Sequence, residues 1–170
     1  MSRFNTAYAE FEKSSSPFEI GLVSDTHGLM RAEALEALAG CQHIVHAGDI
    51  GSPEILKTLS ELAPTTAVRG NNDRGDWAAG LPDAVMARFG DLLLYVIHDV
   101  ADLEIDPVSA EIAVIVAGHS HQPSEEERDG VFYVNPGSAG PKRFALPISV
   151  ARLTLADGQP PRYSLLHLPV

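Results

Sequence analysis

The sequence alternates short apolar runs with polar turns, and this alternation constrains the fold more than any other feature. FEIGLV is followed by SDTHG, HIV by HAGD, TAV by RGNND, LLLYVI by HD, IAVIV by AGHSH, and VFYV by NPGS. Short β-branched, leucine-rich or aromatic runs that end in Gly, Asp, Asn or His predict strands. Helical patterns separate the first three runs, so this half of the chain predicts right-handed βαβ units.

Two amphipathic segments supply those helices. One is RAEALEALA, residues 31–39, and the other is SPEILKTLSELA, residues 52–63. In the second segment Ser52 is predicted as the N-cap and Pro53 lies in the first turn. Its apolar stripe consists of Ile55, Leu56, Leu59 and Leu62.

The second half of the chain is denser in strands. Hairpins are predicted with turns at Gly90–Asp91 and Asp129–Gly130, and residues 148–168 add a final strand pair. A chain of 170 residues is the size of one domain. We therefore expect two sheets packed face to face with helices outside. Residues 1–17 are predicted to be an N-terminal extension, and residues 18–170 the domain.

Composition excludes several classes of protein. The net charge of −11 argues against a general nucleic-acid-binding surface. No apolar run is long enough to span a membrane, and the opening residues lack the apolar stretch of a secretory signal. The single cysteine, Cys41, excludes an internal disulfide and is expected to be a buried small hydrophobe. These features favour a cytoplasmic protein.

The ends of five predicted strands carry residues that can bind metal. They are Asp25, His27, Asp49, Asn71, His98, His119 and His121. In open α/β folds ligands bind beyond the carboxyl ends of the strands, so we expect these side chains to face one centre. His119 and His121 are two apart, and in extended backbone such residues point the same way. Two imidazole-and-carboxylate sites that share one carboxylate would use all seven.

Five motifs resemble, in order and spacing, those of the calcineurin-like metallophosphoesterase superfamily, particularly its small YfcE-type members. They are DTHG, GD, GNND, the histidine after LLLYVI, and GHSH. The resemblance covers about residues 18–168 and implies an αββα four-layer sandwich. It implies that one metal is bound by Asp25, His27, Asp49 and His121. It implies that the second is bound by Asp49, Asn71, His98 and His119. NPGS, residues 135–138, resembles the loop that follows in those members.

The residue types suit this chemistry independently. Imidazole, carboxylate and amide oxygen favour Mn²⁺, our first expectation, with Fe, Zn²⁺, Ni²⁺ or Mg²⁺ as alternatives, and the lack of thiolates argues against a structural zinc site. Two ions can hold a hydroxide between them and clamp the phosphate during in-line attack. Asp49, Asn71 and His98 are expected to serve catalysis by holding the hydroxide and phosphate through metal, with no side-chain acid assigned.

The sequence departs from the family pattern at two positions. Relatives commonly carry a histidine that assists the leaving group where this chain has Asn72, which cannot act as an acid near neutral pH. Substrates with good leaving groups should therefore be favoured. Asp99 follows His98 where glycine is usual, and it could narrow the site, bind metal or disturb the loop.

Other polar residues have weaker claims. Asn72, Arg74, Asn135, Gly137 and Ser138 are predicted to contact substrate. Arg74–Trp77 could grip substrate or form a packed loop anchored by Trp77. His46 is expected to support the site or the core. Strand or surface roles are expected for His43 and His167, and Lys142 and Arg143 are further candidates for substrate contact.

We expect a dinuclear metal-dependent phosphodiesterase that acts on a small phosphoester. A non-catalytic protein-binding scaffold and a nucleotide phosphomonoesterase remain as alternatives, and a homo-oligomer is compatible with the sequence. The natural substrate, the physiological metal and the role of the extension are not specified by the sequence.

Overall fold

The computed structural model describes residues 4–170, so residues 1–3 of the predicted extension lie outside the described part. The strands are β1 (Thr6–Phe11), β2 (Phe18–Val23), β3 (His43–His46), β4 (Thr65–Ala67), β5 (Ala84–Phe89), β6 (Leu92–Ile97), β7 (Val114–Val116), β8 (Ser124–Arg128), β9 (Val131–Asn135), β10 (Ser149–Leu155) and β11 (Arg162–His167). The helices are α1 (Ala32–Leu38), α2 (Pro53–Leu62) and α3 (Asp76–Ala79), with a 3₁₀ turn at Val100–Asp102.

These strands form two mixed sheets. The six-stranded sheet has the order β1-β5-β6-β7-β9-β8, and the five-stranded sheet has the order β11-β10-β2-β3-β4. The parallel pairs β2–β3 and β3–β4 confirm the βαβ units of the first half. The predicted hairpins are confirmed as β5–β6, β8–β9 and β10–β11. The two-sheet α/β class is therefore confirmed.

The main core lies between the sheets and follows from the two-residue period of the strands. Ile20 and Leu22 of β2 meet Leu94 and Val96 of β6 in one buried cluster. On the opposite face of β2, Gly21 lies so close to α1 that a Cβ there would be 2.7 Å from the Leu38 Cδ2 atom. The absence of a side chain at Gly21 therefore lets the helix pack directly onto the sheet.

The two outer layers are unequal. The outer face of the five-stranded sheet is covered by α1 and α2, with Trp77 packed against the same cluster. The outer face of the six-stranded sheet is covered by the irregular segment after the 3₁₀ turn, which contributes Ile105 and Ile112. In the described part of the chain the fourth layer of the sandwich is therefore mostly loop.

The N-terminal extension contributes to this architecture. Its strand β1 pairs in parallel with β5 and forms one edge of the six-stranded sheet. Phe11 stacks on Phe89 with the ring centroids 5.1 Å apart. The sheet thus includes residues ahead of Phe18, where the domain was predicted to begin.

The predicted start of helix α2 is confirmed, since Ser52 is its N-cap residue and the helix begins at Pro53, but the Ser52 side chain makes no capping hydrogen bond. The backbone N–H of Ile55, which such a cap would bind, donates to the Ser52 carbonyl instead, at 3.3 Å. Cys41 is buried as expected, and burial raises the pKa of its thiol.

Candidate metal centre

The candidate site lies at the carboxyl ends of β2, β3, β4, β6 and β7. The loop after each of these strands carries one or two of the predicted ligands, and the structure brings the seven side chains together. Distances divide them into two clusters with the Asp49 carboxylate between, and ligand atoms of Asp25, Asp49 and His98 also lie within 4.8 Å of one another. The first cluster is Asp25, His27 and His121. The second cluster is Asn71, His98 and His119.

The first cluster is deeply buried. The His27 and His121 Nε2 atoms are 3.3 Å apart, and the His121 Nε2 atom is 3.3 Å from the Asp25 Oδ1 atom. Asp25 is fully buried and His121 is 4% exposed. These three side chains present their ligand atoms within 4.8 Å of one another, which fits a single cation.

The second cluster centres on the Asn71 amide oxygen. The Asn71 Oδ1 atom is 3.0 Å from His98 Nε2 and 3.2 Å from His119 Nδ1. The other nitrogen of His98, Nδ1, donates to the Ala47 carbonyl at 2.7 Å. With a proton on Nδ1, the Nε2 atom faces the Asn71 oxygen and the Asp49 carboxylate, so a second proton or a cation is needed between these acceptor atoms.

Asp49 lies between the two clusters. Its Oδ2 atom is 3.7 Å from His27 Nε2 and 3.4 Å from His98 Nε2. The Asn72 backbone N–H donates to the Asp49 Oδ1 atom at 2.9 Å, and the Asn72 side-chain amide donates to Oδ2 at 2.8 Å. Burial alone would raise the pKa of Asp49, but the hydrogen bonds from His98 and Asn72 outweigh it and lower that pKa. The carboxylate is thus held ionised between both clusters.

Asp25 has a different electrostatic environment. Its Oδ2 atom accepts hydrogen bonds from the Ser24 hydroxyl at 2.7 Å and from the His119 backbone N–H at 3.1 Å. Its Oδ1 atom has no hydrogen-bond partner, and burial raises the pKa of this carboxyl. A buried carboxylate oxygen without a donor is costly unless a cation lies against it. The residues present therefore fit a bound metal ion.

The ligand loops depend on unusual backbone conformations. Positive φ angles occur at Asp25, His27, Asp49, His119 and His121. Such angles are rare for residues with side chains and concentrate at functional sites. A Cβ at Gly70 would lie 2.1 Å from the Asp49 Oδ1 atom, so only glycine lets the loop after β4 approach the shared carboxylate so closely.

Several supporting residues were missed by the sequence analysis. Ser24 binds the Asp25 carboxylate. Asp73 is buried and accepts hydrogen bonds from the backbone N–H groups of Gly51 and Gly70, at 2.9 and 2.8 Å, so it joins the loops after β3 and β4. Both residues stand inside the quoted motifs SDTHG and GNND. Their place beside a ligand was the signal that could have found them.

The histidines of β3 lie away from the ligand clusters. His46 is fully buried; its Nδ1 atom accepts from the Gly48 N–H, and its Nε2 atom is 3.0 Å from the Thr26 hydroxyl. Burial lowers the pKa of His46 to about 3. His46 therefore braces the loops on either side of it, which matches the supporting role expected. His43 is also buried in the strand, beside Phe11 and Phe89.

The predicted substrate contacts have mixed environments. Asn72 binds Asp49, and Arg74 is exposed. The Asn135 side-chain amide donates to the Gly118 carbonyl at 2.9 Å, and the Ser138 hydroxyl donates to the Asp25 carbonyl at 3.0 Å. Gly137, at φ 76°, is also buried. The polar side chains of the 135–138 loop are thus engaged within the protein.

A cavity of about 320 Å³ opens beside the second cluster. It is lined by Asn71, His98 and His119 on the side of the candidate site. Its other walls include Arg69, Asp83, Asp99 and Asp102. A small ester can therefore reach the candidate ligands from solvent.

Comparison with known proteins places the chain in a family. Residues 18–158 match the calcineurin-like phosphoesterase superfamily domain, and the chain belongs to this superfamily. A probable metallophosphoesterase of Methanothermobacter thermautotrophicus is 32% identical over 153 residues, which cover 82% of this chain and 87% of that protein. The family inferred from the motifs is thus confirmed. Members bind divalent metal ions, and two groups of side chains in this chain could hold one: Asp25, His27 and His121, and Asp25, Asp49 and His98.

Solved structures share the fold. An archaeal phosphodiesterase superposes with a TM-score of 0.74 at 25% identity, covering 89% of this chain and all of that one (100%). Vacuolar protein sorting 29 from Cryptosporidium parvum superposes with a TM-score of 0.72 at 18% identity, covering 91% and 99%. Among residues 4–170 no helix is long and apolar enough to cross a membrane.

Proposed function

We propose that this protein is a dinuclear metal-dependent phosphodiesterase that acts on a small phosphoester. The observation that carries the proposal is the position of Asp49. Its Oδ2 atom lies 3.7 Å from a ligand of the first cluster and 3.4 Å from a ligand of the second. A carboxylate placed between two groups of ligands can serve both, which is the arrangement that a two-metal site requires.

In this proposal each cluster holds one divalent ion, with Mn²⁺ as the first expectation. Asp25, His27 and His121 hold one, Asn71, His98 and His119 hold the other, and Asp49 contributes to both. When bound, two such ions supply positive charge for the phosphate oxygens and lower the pKa of water toward neutrality. The net charge of −11 would repel an anionic ester, and this local positive charge offsets the repulsion at the site.

The chain's own residues keep the site ready for such ligands. The Ala47 carbonyl holds the His98 Nδ1 proton, so the His98 Nε2 lone pair stays turned toward the cluster. Asn72 holds both oxygens of Asp49. Because no side chain is assigned as proton donor, the leaving group has to depart without one. Esters whose alcohols have a low pKa should therefore react best.

Substrate contacts are proposed on the same grounds. Arg74 is exposed and close to Asn72 in the chain, and we propose that it meets an arm of the ester. Asn72 is exposed and binds Asp49 through one side-chain N–H, so its amide oxygen is proposed to meet the substrate. For Asn135 and Ser138 we propose support of the loops after β2 and β7, because their side chains already bind the Gly118 and Asp25 carbonyls. Gly137 shares this role through its backbone N–H, which donates to the Asn135 side chain. We also propose that the domain spans residues 18–170, that the extension adds an edge strand, and that the protein is cytoplasmic.

The test is an assay with added Mn²⁺ on a panel of esters. It compares bis-p-nitrophenyl phosphate, p-nitrophenyl phosphate, cyclic nucleotides and dinucleotides. Faster hydrolysis of the diester than of the monoester is expected. Asp49→Ala, purified in parallel, is the control for contaminating enzymes. That variant should be inactive on every substrate, so any hydrolysis in its preparation comes from contaminants.

Other results would favour the alternatives. A preference for p-nitrophenyl phosphate and nucleoside monophosphates would indicate a nucleotide phosphomonoesterase. Inactivity on the whole panel, with two ions bound per chain, would favour a protein-binding scaffold. The structural likeness to vacuolar protein sorting 29, with a TM-score of 0.72, keeps the scaffold as the second candidate.

A further inference from the structure

Asp99 occupies the position after His98, and each of its carboxylate oxygens has a separate contact. The Oδ1 atom accepts a hydrogen bond from the Ala101 backbone N–H at 3.0 Å and thereby caps the 3₁₀ turn. The Oδ2 atom lies 3.5 Å from the His119 Nε2 atom. The cap orients the carboxylate, so its second oxygen is presented to the histidine ring.

His119 presents its two nitrogens to different partners. Its Nδ1 atom faces the Asn71 Oδ1 atom at 3.2 Å, within the second cluster. Its Nε2 atom faces Asp99, on the far side of the ring. The ligand nitrogen of His119 is therefore Nδ1, and Asp99 contacts the nitrogen that does not bind.

His119 also needs a positioning partner more than the other histidines do. Its side chain is 45% exposed, whereas that of His98 is 6% exposed. The outer nitrogen of His98 is held by the Ala47 carbonyl at 2.7 Å. For His119 the corresponding outer contact is the Asp99 carboxylate.

We propose that Asp99 is a positioning residue for the second metal site and acts through His119. The Asp99 carboxylate accepts the Nε2 proton of His119, which fixes the tautomer whose Nδ1 lone pair faces Asn71. A carboxylate on the outer nitrogen of a ligand histidine orients the ring and strengthens it as a ligand, with effects of about 10–100-fold on metal affinity. This inference rests on the proposed metal site and adds a residue to it.

The geometry argues against the other roles that Asp99 could have. The Asp99 carboxylate stands behind the ring of His119, so it is not among the atoms that face Asn71. The loop is also undisturbed, because the Gly118 N–H donates to the His98 carbonyl at 2.9 Å. Asp99 thus contributes to the site through a contact that glycine at this position would lack.

The first test measures binding of Mn²⁺ to the metal-free full-length protein by isothermal titration calorimetry. The variants are Asp99→Gly and Asp99→Asn. Asparagine has only one oxygen and cannot both cap the turn and accept from His119. Both variants should bind the ion of the second cluster about 10–100-fold less tightly. Their affinity for the ion of the first cluster should not change. The matched control is Asp102→Asn, which removes a carboxylate of the same cavity and the same 3₁₀ turn.

The second test asks whether Asp99 acts through His119. In the His119→Ala background, Asp99→Asn should have no further effect on Mn²⁺ affinity, because the contact is already gone. In the metal-free wild type, ¹⁵N NMR of the histidine rings should show the Nε2-protonated tautomer of His119. Asp99→Asn should shift His119 toward a mixture of tautomers, and this readout needs neither metal nor activity.

Several outcomes would overturn the inference. Unchanged affinity in both Asp99 variants would do so, as would an equal loss in Asp102→Asn, which would indicate general charge in the cavity. An Nδ1-protonated His119 in the wild type would contradict the proposed tautomer. A wild type that binds only one ion would instead contradict the dinuclear proposal, and the NMR result would still decide the role of Asp99.

Discussion

The two ligand clusters differ in how well the protein satisfies them without a metal ion. In the first cluster the Asp25 Oδ1 atom is buried with no hydrogen-bond donor. In the second cluster Asn71 lies within hydrogen-bond distance of both His98 and His119. Burial disfavours the charged form of His98, but the Asp49 carboxylate more than offsets this and raises the pKa of His98. A proton on His98 can therefore substitute in part for a cation in the second cluster.

This difference indicates unequal affinities. A cation in the first cluster relieves a buried unpaired oxygen, so part of its binding free energy comes from removing a defect of the metal-free protein. A cation in the second cluster has to replace contacts that already exist, and His119 there is half exposed to water. We expect the first cluster to bind its ion more tightly. The predictions below test that difference, beginning with the residue common to both clusters.

The largest effect is expected for Asp49→Ala. Removing the shared carboxylate should deprive both clusters of a ligand. The rate of phosphodiester hydrolysis should fall on the order of 10³-fold, which corresponds to several kcal/mol of lost transition-state stabilisation. The fold should survive, since a loop carboxylate contributes little to the core. Activity, metal content by mass spectrometry and circular dichroism test these points. Full occupancy with retained activity would contradict the shared role.

The next effect separates the clusters with a pair of variants, Asp25→Asn and Asn71→Ala. Each should bind one Mn²⁺ ion where the wild type binds two, and the remaining ion should be the more weakly bound one in Asp25→Asn. In the presence of a chelator, Asp25→Asn should also raise the free energy of unfolding by about 1–2 kcal/mol, because it removes a buried negative charge whose Oδ1 atom has no hydrogen-bond donor among the described residues. Urea denaturation measures this.

Asn71→Ala is the matched control for that stability effect. Asn71 is exposed, so its loss should not stabilise the metal-free protein. Equal changes in the free energy of unfolding for the two variants would mean that the first cluster carries no special cost. Loss of both ions in either variant would mean that the clusters do not bind independently.

A third effect comes from the histidines of β3, which would otherwise obscure any pH effect of the clusters. Burial lowers the pKa of His43 to about 4, below its unfolded value near 6.5. As the pH falls, His43 is therefore protonated in the unfolded chain before it is protonated in the folded protein. Its contribution to the free energy of unfolding is fully present above pH 6.5 and is lost as the pH drops toward 4. The loss is about 1.4 kcal/mol per pH unit for each such histidine.

The measurement is urea denaturation of the metal-free protein between pH 6 and 4.5. His43→Phe should reduce the dependence of stability on pH by about 1.4 kcal/mol per unit relative to the wild type. The slope is diagnostic, because the variant also loses the contact of His43 with the Thr66 hydroxyl, which lowers stability at every pH. An unchanged slope would show that His43 titrates alike in both states.

The smallest effect is expected at Asn72, which holds the carboxylate between the clusters. Asn72→His places a group of pKa about 6.5 at the position where relatives carry an acid. It should accelerate alkyl esters relative to p-nitrophenyl esters by about threefold to tenfold, provided that the ring leaves Asp49 and faces the substrate. Rates for both esters, corrected for metal content, test this. Equal changes for the two esters would mean that position 72 acts only on Asp49.

The order of strands and ligands was predictable from the sequence, whereas side-chain orientation was not. His98 and Asn71 could be assigned to strand ends because each directly follows an apolar run or lies a few residues after one. The sequence could not show that Asn72 turns to Asp49, or that Asn135 is engaged by Gly118. Those contacts join residues far apart in the chain, and their partners depend on how the two sheets stack.

The extension illustrates a second limit. Residues 6–11 were assigned to an extension, although their exposure alternates as expected for an edge strand with one covered face. That face consists of Ala7, Ala9 and Phe11, and two alanines give only a weak apolar pattern in the sequence. Their pairing with β5 depends on a partner almost 80 residues away, as Thr6 opposite Ala84 shows. At Ser52 the sequence predicted the N-cap position but not the side-chain orientation, and the side chain makes no capping hydrogen bond.

The left-handed backbone at five ligands has a consequence for how this protein tolerates mutation. Glycine adopts this left-handed conformation freely, whereas each of these residues lowers the free energy of unfolding by about 1 kcal/mol relative to glycine. Glycine at Asp25 would relieve both the backbone conformation and the buried carboxylate oxygen that lacks a donor among the described residues, so it would make the metal-free chain harder to unfold while removing its proposed chemistry. Selection for thermal resistance alone would erode this site first, so a library screened for stability needs a metal-binding counter-screen.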